Sequence, residues 1–314
     1  LSLLDKRTTM DPDKPILINN FDNVRSAYDK STSYLETDPD LHRKIARHIW
    51  AYHEISWIIP QTELNFGSGH FFPFTESYDD LEGSYLLALQ GYYSFSMFAL
   101  RSVLELGLLG IHFSVNDKEY EEVQSWLKSE EKSPQRKKVF ESLRQLASFK
   151  EFDDKFSLVE RIQKLFDTLD GFAHTRGFRH SNMALTGSNI NTFSPSALSL
   201  YCDTMFSVVH VLFLVILLKY PLGIKPLPVG RKLGLNVPTH GFQEPGQVKL
   251  LKMLIPSDEW KLLEKISDSD QNVQGIVEYY EQSPDISEEE MLQQITEWES
   301  FMSKHSHPDD EEHK

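Results

Sequence analysis

Residues 79–113 show the clearest periodicity in the chain, and the period is that of an α-helix. The polar side chains in this stretch recur at intervals of four and seven residues, at Gln90, Ser94, Arg101, Glu105 and His112. Because a helix turns once in about 3.6 residues, these positions line one narrow stripe, and the other faces are almost entirely apolar. We therefore expect one long helix in the middle of a helical bundle.

Helical periods also account for most of the remaining chain, and no stretch alternates in the manner of a half-buried strand. Apolar residues at helical spacing occur in five further segments, 41–59, 118–129, 134–149, 156–173 and 197–218. The sequence therefore predicts an all-α protein whose core is a helical bundle.

Composition divides these helices into a larger core and a smaller C-terminal module. The predicted core bundle is 41–220, and the five prolines of 221–245 predict a linker. Residues 246–304 predict a small module of four short helices, with a capping serine and acids in two first turns. We expect 1–40 to be a partly disordered extension and the charged tail, 305–314, to be disordered.

One continuous apolar run, Phe206–Leu218, raises the question of a membrane. The run has 13 residues, fewer than the roughly 20 that a spanning helix needs, and the polar Asp203 and Thr204 precede it. It is predicted to be a buried core helix, and no membrane partner is expected.

The overall charge is −15 at pH 7, which argues against broad, non-specific binding of nucleic acid but permits a local basic site. Cys202 is the only cysteine, which excludes an internal disulfide framework and favours a cytoplasmic protein. The usual metal-ligand spacings, phosphate-binding loop and dinucleotide glycine fingerprint are missing from the sequence, so no metal or cofactor is predicted.

The strongest candidate for a functional site is the segment His174–His180, which places two histidines and two arginines together in an acidic chain. Arginine forks bind carboxylate or phosphate, and histidine transfers protons near neutral pH. The candidate catalytic residues are Arg176, His180 and His174, and Arg179 is a candidate binding residue.

The helix that precedes this cluster suggests how its members are arranged. If that helix continues, Arg176 lies on its inward face and His174 lies one turn from Asp170, within side-chain contact. A carboxylate at that distance orients an imidazole and favours its cationic form. Gly177 is predicted to end the helix.

A structural interpretation stands beside the functional one. Arg176 could instead form an ion pair with Glu105, because a lone charge on an apolar helix face normally finds a partner. Arg101 and Glu105 are also spaced to satisfy each other within one helix. Arg101, Glu105 and Asp170 are therefore further candidate binding residues.

The segment FALRSVLELGLLGIH, followed after some 55 residues by LFDTLDGFAHTRG, resembles the HEPN superfamily (higher eukaryote and prokaryote nucleotide-binding domains). The resemblance covers about 80–220 and implies a helical bundle that often acts as a metal-independent RNase of toxin or phage-defence type and commonly dimerises. The family's signature is an arginine followed after four to six residues by a histidine. Here three residues separate Arg176 from His180.

Two functions follow as expectations. The first is an RNA- or nucleotide-associated, HEPN-like protein of defence type, with the 174–180 cluster as the site of binding or cleavage. The alternative is a non-catalytic helical interaction protein in which the cluster is a structural ion-pair node and the acidic C-terminal region engages a protein partner. The first predicts RNA or a nucleotide as partner, and the family resemblance adds a homodimer.

Overall fold

The structure of the protein is a computed structural model, which describes five ranges of residues: 16–60, 70–116, 121–187, 190–237 and 240–305. Within these ranges the regular structure is helical, with fifteen α-helices and three short 3₁₀ helices. One isolated parallel bridge, between Pro226 and Gln243, is the only β feature of the described residues. The predicted all-α fold class is therefore confirmed.

The α-helices, in chain order, are α1 (Ile16–Thr37), α2 (Pro39–Ile55), α3 (Phe72–Leu89), α4 (Tyr93–Asn116), α5 (Glu121–Leu127), α6 (Arg136–Leu143), α7 (Ala147–Phe156), α8 (Leu158–Ala173), α9 (Asn182–Thr186), α10 (Pro195–Lys219), α11 (Gly230–Leu233), α12 (Pro245–Leu254), α13 (Ser257–Ser269), α14 (Gln271–Gln282) and α15 (Glu288–His305). The 3₁₀ helices are Ser56–Ile58, Phe178–His180 and Pro221–Ile224. The four helices predicted for 246–304 correspond to α12 to α15. Residues 1–15 and nearly all of the predicted disordered tail lie outside the described residues.

The single helix predicted over 79–113 is instead two helices, α3 and α4, which are separated at Gly91. This glycine has a φ of +75°, and its carbonyl accepts a hydrogen bond of 3.2 Å from the backbone N–H of Asn191. A Cβ at Gly91 would lie 2.8 Å from the backbone nitrogen of Thr192. The break therefore depends on a close approach of two backbones, which only glycine permits and which a helical period does not reveal.

The described residues belong to two compact units, and each unit takes three segments of the chain. Unit 1 comprises Leu1–Trp50, Pro73–Leu108 and Leu158–Val211, and unit 2 comprises Ala51–Phe72, Leu109–Ser157 and Leu212–Lys314. Helices α2, α4 and α10 therefore contribute to both units. The sequential domain boundaries that composition suggests stay a prediction.

The core of unit 1 is formed by the apolar faces of α4, α8 and α10. Its fully buried side chains include Leu100, Val103, Leu104, Ile162, Leu169, Leu198, Val208 and Val209. Two buried tyrosines keep partners for their hydroxyls: Tyr201 is 2.8 Å from the Ser84 hydroxyl, and Tyr93 accepts a 3.1 Å hydrogen bond from the backbone of Ser194. Both of these tyrosine hydroxyls thus have a hydrogen-bond partner, as most buried polar groups do.

Among the described residues, two helical spans are long and apolar enough to cross a membrane by length and composition, Tyr93–Val115 and Pro195–Lys219. Buried core helices of soluble proteins pass the same test, and 56% and 78% of the two apolar windows are buried. The burial predicted for Phe206–Leu218 is confirmed, since all of these side chains except Ser207 and His210 are buried.

In unit 2, the segment predicted as a linker carries two short helices and contributes to a core. Ile224, Leu227 and Val229 are buried. The backbone N–H of Gly241 donates to the carbonyl of Trp57 at 2.7 Å, and the ring of His240 stacks on Trp57 at 4.7 Å. The described part of this segment is therefore an arm that packs within its own unit.

His112, the last residue of the polar stripe on α4, does not face solvent. Its imidazole is fully buried in unit 2, where Nδ1 lies 2.6 Å from the hydroxyl of Ser142 and Nε2 lies 3.5 Å from a carboxylate oxygen of Glu122. In unit 1, by contrast, Phe95 and Phe98 are more than half exposed. The exposed face of α4 is therefore partly aromatic rather than polar.

Candidate functional site

The candidate site lies where α8 ends, and the way the helix ends decides where its side chains point. Thr175 has a left-handed φ of +43°, and the backbone N–H of Arg176 donates to the carbonyl of Gly171 at 2.9 Å. The N–H of Thr175 donates to Phe172 at 3.3 Å, so the ending is a Schellman motif with threonine in the position that usually holds glycine.

Gly177 therefore does not end the helix, contrary to the sequence prediction. It follows the Schellman motif, with a φ of +79°, and begins the 3₁₀ turn Phe178–His180. The left-handed residue at 175 changes the chain direction before Arg176, so Arg176 does not continue the inward face of α8.

The basic turn, defined as His174–His180, is exposed over most of its length. The side chains of His174, Arg176 and Arg179 face solvent. The expected pairing of Arg176 with Glu105 is wrong, and within the described residues neither arginine of the turn forms an ion pair. The turn thus holds two cationic groups that the rest of unit 1 does not neutralise.

Among the arginines of the candidate site, Arg101 on α4 is the one that pairs with carboxylates. Its Nε donates to Asp170 Oδ1 at 2.7 Å, and its Nη1 donates to Glu105 Oε2 at 2.6 Å. The Arg101 side chain is 21% exposed and that of Asp170 only 8%. The spacing prediction that Arg101 and Glu105 satisfy each other is confirmed, and Asp170 joins them. We call these three residues the Arg101 node.

Electrostatics stabilises the charged form of Arg101. Burial disfavours the guanidinium charge, but the hydrogen bonds and proximity to Asp170 and Glu105 outweigh this effect and raise the pKa of Arg101. The alternative interpretation places a structural ion pair in the 174–180 cluster, at Arg176. The structure has one at Arg101, which lies outside that cluster.

The expected contact between Asp170 and His174 takes a different form. The backbone N–H of His174 donates to the carbonyl of Asp170 at 3.0 Å, which is the helical hydrogen bond. The Asp170 carboxylate bonds to Arg101, while the His174 side chain is exposed. The two residues are neighbours in the helix, but the Asp170 carboxylate is buried and the His174 imidazole faces solvent.

His180 anchors the turn to α8. Its Nδ1 lies 2.9 Å from the carbonyl of Arg176, and its ring stands edge-on to Phe172 with centroids 5.1 Å apart. A carbonyl only accepts hydrogen bonds, so Nδ1 donates the hydrogen in this contact. A Cβ at Gly171 would lie 2.3 Å from the Nε2 of His180, so the ring rests directly on the backbone of the helix.

An exposed aromatic ring lies between the two arginines of the turn. The side chain of Phe178 is 69% exposed. The turn leads into α9, whose Asn182 side chain accepts a 3.2 Å hydrogen bond from the backbone N–H of Ser94 at the start of α4. That contact links the turn to the part of α4 that exposes Phe95 and Phe98.

The exposure of Phe95, Phe98 and Phe178 cannot be recognised from the sequence. Helical spacing assigned Phe95 and Phe98 to the core, because a phenylalanine has the same sequence signal whether its face is covered or open. The Asn182–Ser94 contact joins positions 88 residues apart, so no local pattern indicates it.

No group of three or more His, Cys, Asp or Glu side chains in the described ranges could hold a metal ion. The chemistry that the turn offers is therefore that of guanidinium, imidazole and an exposed ring.

In comparisons with known proteins, the chain matches no family model, no curated protein and no solved structure. The resemblance to the HEPN superfamily stays a prediction.

Proposed function

We propose that the protein is an RNA-associated helical protein whose basic turn binds single-stranded RNA. The observation that carries this proposal is the exposed Phe178 between two exposed arginines, Arg176 and Arg179, in a chain with a net charge of −15. A local cationic surface in an acidic protein attracts an anionic partner to one place and repels it elsewhere.

The chemistry of the turn suits a single strand better than a duplex. An exposed aromatic ring stacks on an unpaired base, and guanidinium groups bind the adjacent phosphates. Stacking of this kind contributes about 1–3 kcal/mol per base, and it tolerates any sequence because every base has a flat face. Phe95 and Phe98 add exposed rings at the start of α4, next to α9.

The contacts of His180 and Arg101 favour binding over cleavage. The Nδ1 of His180 bonds to a backbone carbonyl and its ring rests on Gly171, while Arg101 bonds to two carboxylates. These groups hold the fold together, which leaves the exposed His174 as the imidazole available for proton transfer. The toxin or phage-defence role and the cytoplasmic setting enter the proposal from the family resemblance and the composition.

A non-catalytic interaction protein is the second candidate function. The Arg101 node favours it, because the node pairs the buried Asp170 carboxylate and so behaves as a structural ion pair. In that case the basic turn would contact an acidic protein surface instead of RNA.

The test is fluorescence anisotropy with a labelled single-stranded RNA at physiological salt. We expect Arg176→Ala/Arg179→Ala to weaken binding at least about tenfold and to reduce the salt dependence by about one for each arginine removed. Phe178→Ala should weaken binding about fivefold or more at unchanged salt dependence, since stacking carries no charge.

The matched control is Arg47→Ala/Arg144→Ala, which removes two exposed arginines outside the turn. Equal affinities of the two double variants would overturn the proposal.

Incubation of the same RNA with wild type and His174→Gln, with a chelator present, distinguishes binding from metal-independent cleavage. We expect intact RNA from both proteins.

A further inference from the structure

Helix α15, the last described helix, exposes a continuous apolar face. Five large apolar side chains on it are more than a third exposed: Leu292, Ile295, Trp298, Phe301 and Met302. A single amphipathic helix owes most of its stability in water to the packing of its apolar face. The face of α15 is therefore of the kind that another surface covers.

The spacing of the apolar residues specifies the kind of surface. Met291, Ile295, Trp298 and Met302 are separated by four, three and four residues, which is the heptad spacing of the a and d positions of a coiled coil. Leu292 and Phe301 occupy the flanking e and g positions and widen the stripe on both sides.

The charges of α15 leave this stripe open to another helix. Glu289, Glu290 and Glu297 occupy the b and c positions, on the side away from the stripe, and Glu299 lies at a flanking e position. Glu288, the first residue of the helix, falls at an a position ahead of Met291. A second copy of the same helix would therefore meet little like charge across the contact.

Contacts of Gln294 within unit 2 position α15. Gln294 accepts a 2.7 Å hydrogen bond from the backbone N–H of Leu235 and donates to the carbonyl of Leu233 at 3.1 Å. A Cβ at Gly234 would lie 2.3 Å from the Gln294 side-chain oxygen, so the arm passes directly beside the helix. Trp298 remains 56% exposed one helical turn further on.

We propose that α15 pairs in antiparallel orientation with α15 of a second copy of this chain. A parallel pair would bring the acids Glu288, Glu289 and Glu290 of both copies together, whereas an antiparallel pair separates them by the helix length of roughly 27 Å. Antiparallel pairing also opposes Ile295 to Trp298 and Met291 to Met302.

This inference rests on observations separate from the RNA proposal. Helix α15 lies in unit 2 and outside the 80–220 region that resembles the HEPN superfamily. Loss of dimerisation and loss of RNA binding are therefore measured independently, on different variants.

The first test is sedimentation equilibrium of the full chain over a range of concentrations. Because the contact consists of one helix from each copy, we expect a weak dimer with a Kd on the order of 10 µM. Trp298→Glu should weaken dimerisation at least about tenfold, because it places a charge in the centre of the contact. Tyr279→Glu, at a position of α14 that is 77% exposed, is the matched control and should dimerise as wild type does.

Disulfide cross-linking tests the orientation. In the antiparallel pair, a chain with both Met291→Cys and Met302→Cys forms a covalent dimer on oxidation, and each single variant does not. The native Cys202 is buried and stays out of the reaction. Cross-linking of a single variant would overturn the antiparallel arrangement.

Two further results would overturn the proposal as a whole. One is a monomer at every concentration with far-UV circular dichroism that shows intact helices. The other is a monomeric wild type that binds a synthetic basic amphipathic peptide while Trp298→Glu does not, which would assign the face to a basic protein partner.

Discussion

Unit 1 contains two groups of arginines whose surroundings are opposite. Arg101 lies among helices and bonds to Asp170 and Glu105, whereas Arg176 and Arg179 project from an exposed turn. The pairing of Arg101 satisfies the charge of a buried carboxylate. The charges of the turn contribute nothing comparable to the fold, so they are available to a partner.

The position of each arginine relative to a helix end decides its role. The Schellman motif at the end of α8 turns the chain before Arg176 and so separates the basic turn from the node. Gly171 and His180 connect the two regions, because the ring of His180 rests on the helix that carries Asp170.

The largest expected effect comes from Arg101→Met. This change leaves the Asp170 carboxylate buried without its cation, and we expect the free energy of unfolding to fall by about 4 kcal/mol. Urea denaturation followed by far-UV circular dichroism measures it. The double variant Arg101→Met/Asp170→Asn should recover part of the loss, since it removes the uncompensated charge.

Arg176→Met is the matched change on the exposed turn, and we expect it to alter the same free energy by no more than about 0.5 kcal/mol. Equal destabilisation by Arg101→Met and Arg176→Met would contradict the expectation that only Arg101 stabilises the fold.

His48 is a buried basic group of unit 1 that, unlike these arginines, is held in its neutral form. Burial, together with the nearby positive charges of Lys44 and His210, lowers the pKa of His48 from 6.5 to about 4. The unfolded chain therefore binds a proton that the folded chain does not between these pH values. The stability from His48 is fully present above pH 6.5 and is lost as the pH falls towards 4.

The expected loss attributable to His48 between pH 7 and pH 4 is about 3 kcal/mol. Since carboxylates also titrate in this range, the measurement is the difference between wild type and His48→Leu in urea denaturation at several pH values. Parallel stability curves for the two proteins would contradict the expectation.

A substitution at Gly171 tests the link between the two regions. Alanine in place of glycine stabilises a helix interior by about 1 kcal/mol, but a Cβ at Gly171 would displace the ring of His180. We expect Gly171→Ala to be neutral or destabilising in wild type and stabilising by about 1 kcal/mol in the His180→Ala background. Thermal and urea unfolding of the four proteins give the coupling, and strictly additive effects would show that His180 does not rest on this glycine.

Part of the candidate site could be predicted from the sequence. The i, i+4 spacing of Arg101 and Glu105 predicts their pairing, because both partners lie on one helix whose geometry is fixed. The third member of the node, Asp170, lies 69 positions from Arg101, and only packing of α4 against α8 brings the two together. The inward direction predicted for Arg176 was wrong because α8 ends before it.

The helical period determined the all-α fold, the approximate bounds of α8, α10 and α12 to α15, and the burial of the Phe206–Leu218 run, since these follow from local periodicity and apolar content. Tertiary structure alone decided the break at Gly91, the choice of Arg101 as the paired arginine and the exposure of Phe95, Phe98 and Phe178. Each of these depends on which distant backbone or helix occupies the adjoining space, and a local sequence pattern does not contain that information.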